Sequence, residues 1–101
     1  FVKATFVLHN SIFNKDDTSS INQFFHILHS VEQQKGICEV KENEYEYTIY
    51  SSCMNLRTGI YYYTTYNSHT VHAVNMNNIN LENKDLSRYE MINQEIIKFQ
   101  N

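Results

Sequence analysis

Cys38 and Cys53 are the only thiols in the chain, and a thiol next to a base is the simplest nucleophile a sequence can offer. Fifteen positions separate them, which fits neither a CxxC redox pair nor a zinc site. Neither lies in a local Cys–His signature, and Cys53 falls inside a strand pattern, where a thiol is more often inert core. With no export signal, two reduced, half-buried thiols are expected rather than a disulfide. His26 and His29 stand three apart on a helix pattern and could supply two metal ligands. No HExxH arrangement accompanies them, so one is expected at the margin of the apolar stripe and the other in solvent. His69 and His72 are also three apart, but on a turn and strand, where that spacing sends side chains to opposite faces. No metal site and no cofactor are expected. Gly36 and Gly59 are the only glycines, which excludes GxxxxGK[ST], GxGxxG and GxSxG loops.

Tyr61, Tyr62 and Tyr63 form the remaining candidate. In a strand, Tyr61 and Tyr63 share a face with Thr65, and Tyr62 shares the other with Ile60 and Tyr66. Such a face could stack a sugar or a flat ligand. The structural alternative, an amphipathic layer packed under a neighbour with hydroxyls at its rim, is favoured.

These residues need elements to hold them. Phe1 to Asn10 reads as a helix, with Phe1, Ala4, Thr5 and Leu8 on one face, Lys3 as its one charge, and most sides buried. Asn10 to Ser20 is polar and reads as a loop. Ser20 to Ser30 reads as a helix: Ser20 and Gln23 predict a capping box, and Asp16 and Asp17 suit the positive end of the helix dipole. Ile21, Phe24, Phe25, Leu28 and Val31 then make one stripe, and Lys35-Gly36 marks the end.

From Ile37 the period changes to two. Tyr45 to Met54 alternates as a strand, Asn55 to Gly59 is a hairpin loop, and Ile60 to Tyr66 returns. Asn67-Ser68-His69 is a tight turn before a strand from Thr70 to Met76, with Val71 and Ala73 on one face and His72 and Val74 on the other. Lys41 to Glu44 is a solvated turn. Asp85 to Ile92 is a short strand or helix, and Glu95 to Asn101 a weak helix or frayed tail. The fold class is therefore α+β: helical over 1–35, an antiparallel meander over 37–92, and a tail over 93–101.

The chain has 101 residues, 42% of them apolar, and a net charge of −3. A mildly acidic chain without runs of Lys or Arg lacks the basic field of a nucleic-acid binder. Ala4 to Leu8 is too short to span a bilayer. Neither nucleic acid nor membrane is expected as a partner. Two glycines, no proline and a start at Phe1 are unusual for a small domain. Strands apolar on both faces and open sheet edges likewise lead us to expect a piece of a larger fold.

Phe24-Phe25-His26-Ile27-Leu28, Lys35-Gly36, Tyr45-Glu46-Tyr47-Thr48-Ile49-Tyr50-Ser51-Ser52-Cys53, Asn55-Leu56, Thr58-Gly59 and Tyr61-Tyr62-Tyr63 stand in order and at the right spacing. Together they resemble the C-terminal part of the choloylglycine hydrolases, which include bile salt hydrolases and penicillin V acylases. Phe1-Val2-Lys3-Ala4 is similar to the helix just upstream in that family. The resemblance runs to about Ile92 and leans towards the bile salt hydrolase branch; 93–101 matches nothing in it.

The resemblance implies an N-terminal nucleophile hydrolase with an αββα sandwich. It implies a cysteine at the start of the mature enzyme that attacks a linear amide, with its own α-amino group as base. The implied substrates are glycine- and taurine-conjugated bile acids. In the family the last catalytic arginine lies directly before the stretch matching Phe1-Val2-Lys3, so no catalytic residue is expected within 1–101. The nucleophile and its partners are expected upstream of Phe1, and Cys38 and Cys53 match core positions. The expectation is thus an inactive C-terminal fragment of a cytoplasmic amidase, homo-oligomeric when full length. A penicillin V acylase-type amidase is the alternative, as is a non-enzymatic Tyr-rich ligand-binding or interaction module.

Overall fold

The computed structural model describes residues 1–101. Two helices precede five strands, α1 (Val2–Asn10), α2 (Asp17–His29), β1 (Cys38–Lys41), β2 (Glu44–Glu46), β3 (Tyr50–Asn55), β4 (Ile60–Thr65) and β5 (Ser68–Asn75), closed by a 3-10 turn at Met76–Asn78. The class is α+β, as the change of period at Ile37 implies. The chain divides into two compact units, Phe1–Ser51 and Ser52–Asn101. No helix is long and apolar enough to cross a membrane.

In the first unit, α2 begins a turn earlier than expected. Asp16 is its N-cap, with its carboxylate accepting the Ser19 amide at 2.8 Å. The predicted capping box of Ser20 and Gln23 does not form, because the Ser20 hydroxyl donates instead to the Asn14 carbonyl at 2.8 Å. A carboxylate satisfies orphan amides at the positive end of the helix better than a hydroxyl does. The helix ends as expected at Ser30, with Lys35-Gly36 further along the chain. Ser30 is the C-cap, and its hydroxyl turns back on the Ile27 carbonyl. The predicted stripe is only partly buried. Of the stripe Phe25 is buried, Ile21 and Leu28 are half-buried, and Phe24 and Val31 are exposed; Ile27, outside the predicted stripe, is buried.

Helix α1 forms where expected but does not bury most of its sides. Ala4, Thr5 and Val7 are half-buried, and Phe1, Phe6 and Leu8 are exposed.

The expected continuous strand from Tyr45 is split. β1 and β2 form a separate hairpin, with Cys38 opposite Glu46 and Lys41 opposite Glu44. Asn43 takes φ 62° at its turn, a left-handed conformation that Asn tolerates well. Tyr47–Ile49 then leaves the ladder, for a visible reason. The Thr48 amide donates to the Gln33 carbonyl at 3.0 Å, and the Gln33 amide donates to Thr48 Oγ1 at 2.9 Å. Lys35 Nζ lies 5.3 Å from the centre of the Tyr47 ring, a cation–π contact. These bonds to the segment after α2 replace strand pairing.

Strands β3, β4 and β5 form a three-stranded sheet in that order. The predicted loop between β3 and β4 is present. The Asn55 side chain accepts the Arg57 amide at 3.0 Å, and Gly59 takes φ 72°. Asn77 reaches back to the Thr58 carbonyl at 2.8 Å and braces the loop. β5 starts at Ser68, two residues before the expected Thr70, because Thr65 already pairs with Ser68. The ladder is antiparallel, with Tyr61 opposite Val74 and Tyr63 opposite His72. Between the Tyr63–His72 and Thr65–Ser68 pairs the register shifts, so that His69, Thr70 and Val71 all lie opposite Thr64. The core of this unit is unusually polar, since Thr64, Thr65 and Ser68 are buried beside Tyr63.

The sheet ends at Asn75, earlier than the 37–92 expected. Neither Asp85–Ile92 nor Glu95–Asn101 forms a strand or helix; 79–101 has no regular structure. The first of these stretches lacks a sustained apolar period, and the second is too short to nucleate a helix by itself.

Candidate functional site

The alternation of β4 and β5 places the tyrosines as expected. Tyr61 and Tyr63 share one face, with ring centroids 6.3 Å apart. Cross-strand pairing adds His72 to that face, 5.6 Å from the Tyr63 ring. On β5, Val71 and Ala73 are exposed and His72 and Val74 half-buried, which is the predicted division of faces.

The polar ends of this face are occupied by the chain's own last segment. Tyr63 Oη accepts the Ile92 amide hydrogen at 3.0 Å. Glu95 Oε2 accepts two hydroxyls, Ser68 Oγ and Thr70 Oγ1, each at 2.8 Å. The Thr70 bond first, then the Ser68 bond, hold the Glu95 carboxyl below the usual carboxylate range, with help from the charge of His69. Ser68 is wholly buried. His72 Nε2 and Thr65 Oγ1 are buried without a hydrogen-bond partner. Sequence reasoning singled out Tyr63 and His72 but missed Glu95, Ile92, Ser68 and Thr70. No pattern marks a pairing across more than twenty residues of irregular chain.

The other candidates are dispersed. Cys38 and Cys53 are free and half-buried. Cys38 Sγ lies 3.6 Å from Glu46 Oε2 on the paired strand. Burial pushes the Cys53 thiol above its ordinary pKa, which disfavours the thiolate a nucleophile needs. His26 is exposed, and half-buried His29 packs 6.0 Å from the Phe25 ring at the helix margin. No three His, Cys, Asp or Glu side chains gather as a metal site would require. What the chain builds is a braced scaffold with a tyrosine-lined sheet face.

Comparison with known proteins gives that scaffold a family. The sequence model of the linear amide C–N hydrolases of the choloylglycine hydrolase family matches residues 1–89. The bile salt hydrolase/transferase of Lactiplantibacillus plantarum is 47% identical over 91 residues, 90% of this chain and 28% of that protein. That of Clostridium perfringens is 36% identical over 90 residues, 89% of this chain and 27% of that protein. The solved structure of a mutant conjugated bile acid hydrolase from Clostridium perfringens superposes with a TM-score of 0.83 at 34% identity. It covers 99% of this chain and 30% of its own, so the likeness in shape extends past the family match into the last residues. The chain spans less than a third of the length of the curated relatives it matches. On a match that takes in nearly nine-tenths of its residues, this chain belongs to the choloylglycine hydrolase family.

Proposed function

We propose that this chain is the C-terminal part of an amidase that hydrolyses the amide of glycine- or taurine-conjugated bile salts. The observation that carries this reading is the 47% identity to the bile salt hydrolase/transferase of Lactiplantibacillus plantarum over 90% of the chain. The nucleophile in this reading is a cysteine upstream of Phe1, and residues 1–101 supply scaffold. The raised pKa of Cys53 and the strand-paired position of Cys38 support a structural role for both thiols. The full-length enzyme is a cytoplasmic homo-oligomer in this proposal, and its αββα sandwich is completed by strands outside these residues.

Reading the coding sequence upstream of Phe1 is the first test. An open frame that begins Met-Cys and ends in Arg immediately before Phe1 is expected. A stop codon with a start site near Phe1 would sink the proposal. The second test compares the full-length protein on glycocholate and on penicillin V. Faster release of glycine from glycocholate is expected, and a clear preference for penicillin V would move the protein to the acylase branch. The 101-residue chain alone should release no glycine, and any turnover by it would place catalytic groups inside this segment.

A further inference from the structure

Three bonds between the irregular last segment and the sheet converge on one small area, and they carry an inference independent of the enzyme reading. Ile92 is fixed to Tyr63 on β4, and Glu95 is fixed to Ser68 and Thr70 on β5. Residues 92 and 95 therefore span both strands of one hairpin. The two β5 hydroxyls sit where the register shifts, and such irregularities re-aim side chains out of the ladder. One carboxylate oxygen takes both, and charge-assisted bonds of this kind are the stronger sort.

We propose that Ile92 and Glu95 latch the chain after the 3-10 turn onto the β4–β5 hairpin, making it a docked strap rather than a frayed tail. The strap lies against the face carrying Tyr61, Tyr63 and His72, and takes up the hydroxyl of Tyr63. Residues 79–101 have no helix or strand of their own, and these three bonds tie 92 and 95 to the sheet. A ligand that bonded to the Tyr63 hydroxyl would compete with the strap for it.

Amide hydrogen exchange on the full-length protein tests this, with Tyr63→Phe, Glu95→Gln and Thr70→Val as variants. Protection of Ile92 in the unmodified protein is expected. Tyr63→Phe should speed exchange at Ile92 about fivefold, the shift in an open–closed equilibrium that one hydrogen bond produces. Glu95→Gln and Thr70→Val should raise exchange across 91–96 and quicken tryptic cleavage at Arg88 and Lys98, while the β4–β5 ladder stays protected. If 91–96 exchanges like an unstructured peptide in the unmodified protein, the strap does not exist. If Glu95→Gln and Thr70→Val both leave 91–96 unchanged, Glu95 is not a latch and the proposal fails. Should Tyr63→Phe unfold the hairpin, seen as lost ladder protection, the two exposed-site variants decide alone.

Discussion

The hydroxyl of Tyr63 accepts the amide hydrogen of Ile92, a bond that closes 29 residues of chain at 3.0 Å. Its ring meanwhile contacts both Tyr61 and His72. One side chain thus joins sheet packing to the ordering of an irregular segment. Tyr63→Phe keeps the ring and removes the acceptor, so its cost measures the hydrogen bond. We expect a loss of about 1 kcal/mol in denaturant unfolding of the full-length protein, the usual worth of such a bond. No measurable change would mean that water replaces the hydroxyl without cost.

Acid should loosen two places at once. Bonding to the Ser19 amide lowers the Asp16 carboxyl, and the hydroxyls of Thr70 and Ser68 lower that of Glu95. A carboxyl whose folded pKa lies below its unfolded value contributes stability that is present at neutral pH. That contribution is lost as pH falls through the folded value. Protection of the Ser19 amide and of 91–96, measured against the intrinsic exchange rate at each pH, should therefore fall from about pH 5 downward. Asp16→Asn should keep most of the cap and blunt its acid sensitivity, and Asp16→Ala should fray the first turn of α2 at every pH.

Gly59 should resist replacement for a backbone reason. A Cβ there would meet the Asn77 side chain at 3.6 Å and Met76 Cβ at 3.9 Å, both ordinary contacts. Its φ of 72° is the obstacle. Gly59→Ala should cost about 1–2 kcal/mol, read as a lower unfolding midpoint. Asn43→Gly, at φ 62°, should be nearly neutral, because the turn already has the conformation glycine prefers. A Gly59→Ala protein as stable as the parent would show that the loop relaxes into another turn.

Cys53 should be a slow thiol. Burial raises its pKa, so little thiolate is present at neutral pH. Alkylation by iodoacetamide should be markedly slower in the native protein than after denaturation. Equal rates in both states would overturn this assignment and reopen Cys53 as a reactive group.

Much of this structure is written locally, and the errors have local causes too. The change of period at Ile37, the Asn55–Gly59 loop and the split of faces in β5 follow from side-chain alternation and turn chemistry, which act over a few residues. The family resemblance rests on the same blocks, above all Tyr45–Cys53 and Tyr61–Tyr63. Ser20-x-x-Gln23 satisfies the pattern of a capping box, but Asp16, four residues earlier, caps the Ser19 amide with a full charge and starts α2 before Ser20 is reached. The break at Tyr47–Ile49 was invisible because Thr48 finds its partner at Gln33, outside the strand. The Glu95 contact depends on 25 and 27 residues of separation to Thr70 and Ser68, and no periodicity encodes that. No three His, Cys, Asp or Glu side chains gather as a metal site would require, and no spacing in the sequence marks such a group either.

The register shift in β5 carries a consequence for how this hairpin can vary. Three residues, His69 to Val71, stand against Thr64 alone, so β5 holds two more residues here than a regular ladder would. Two is an even number, and strand faces alternate with every residue. Inside and outside are therefore preserved on both sides of the irregularity. Removing a pair of residues would straighten the ladder and leave His72 and Val74 on their present side. Removing a single one would invert everything from there to Asn75. The hairpin is thus open to insertions and deletions in steps of two and closed to steps of one.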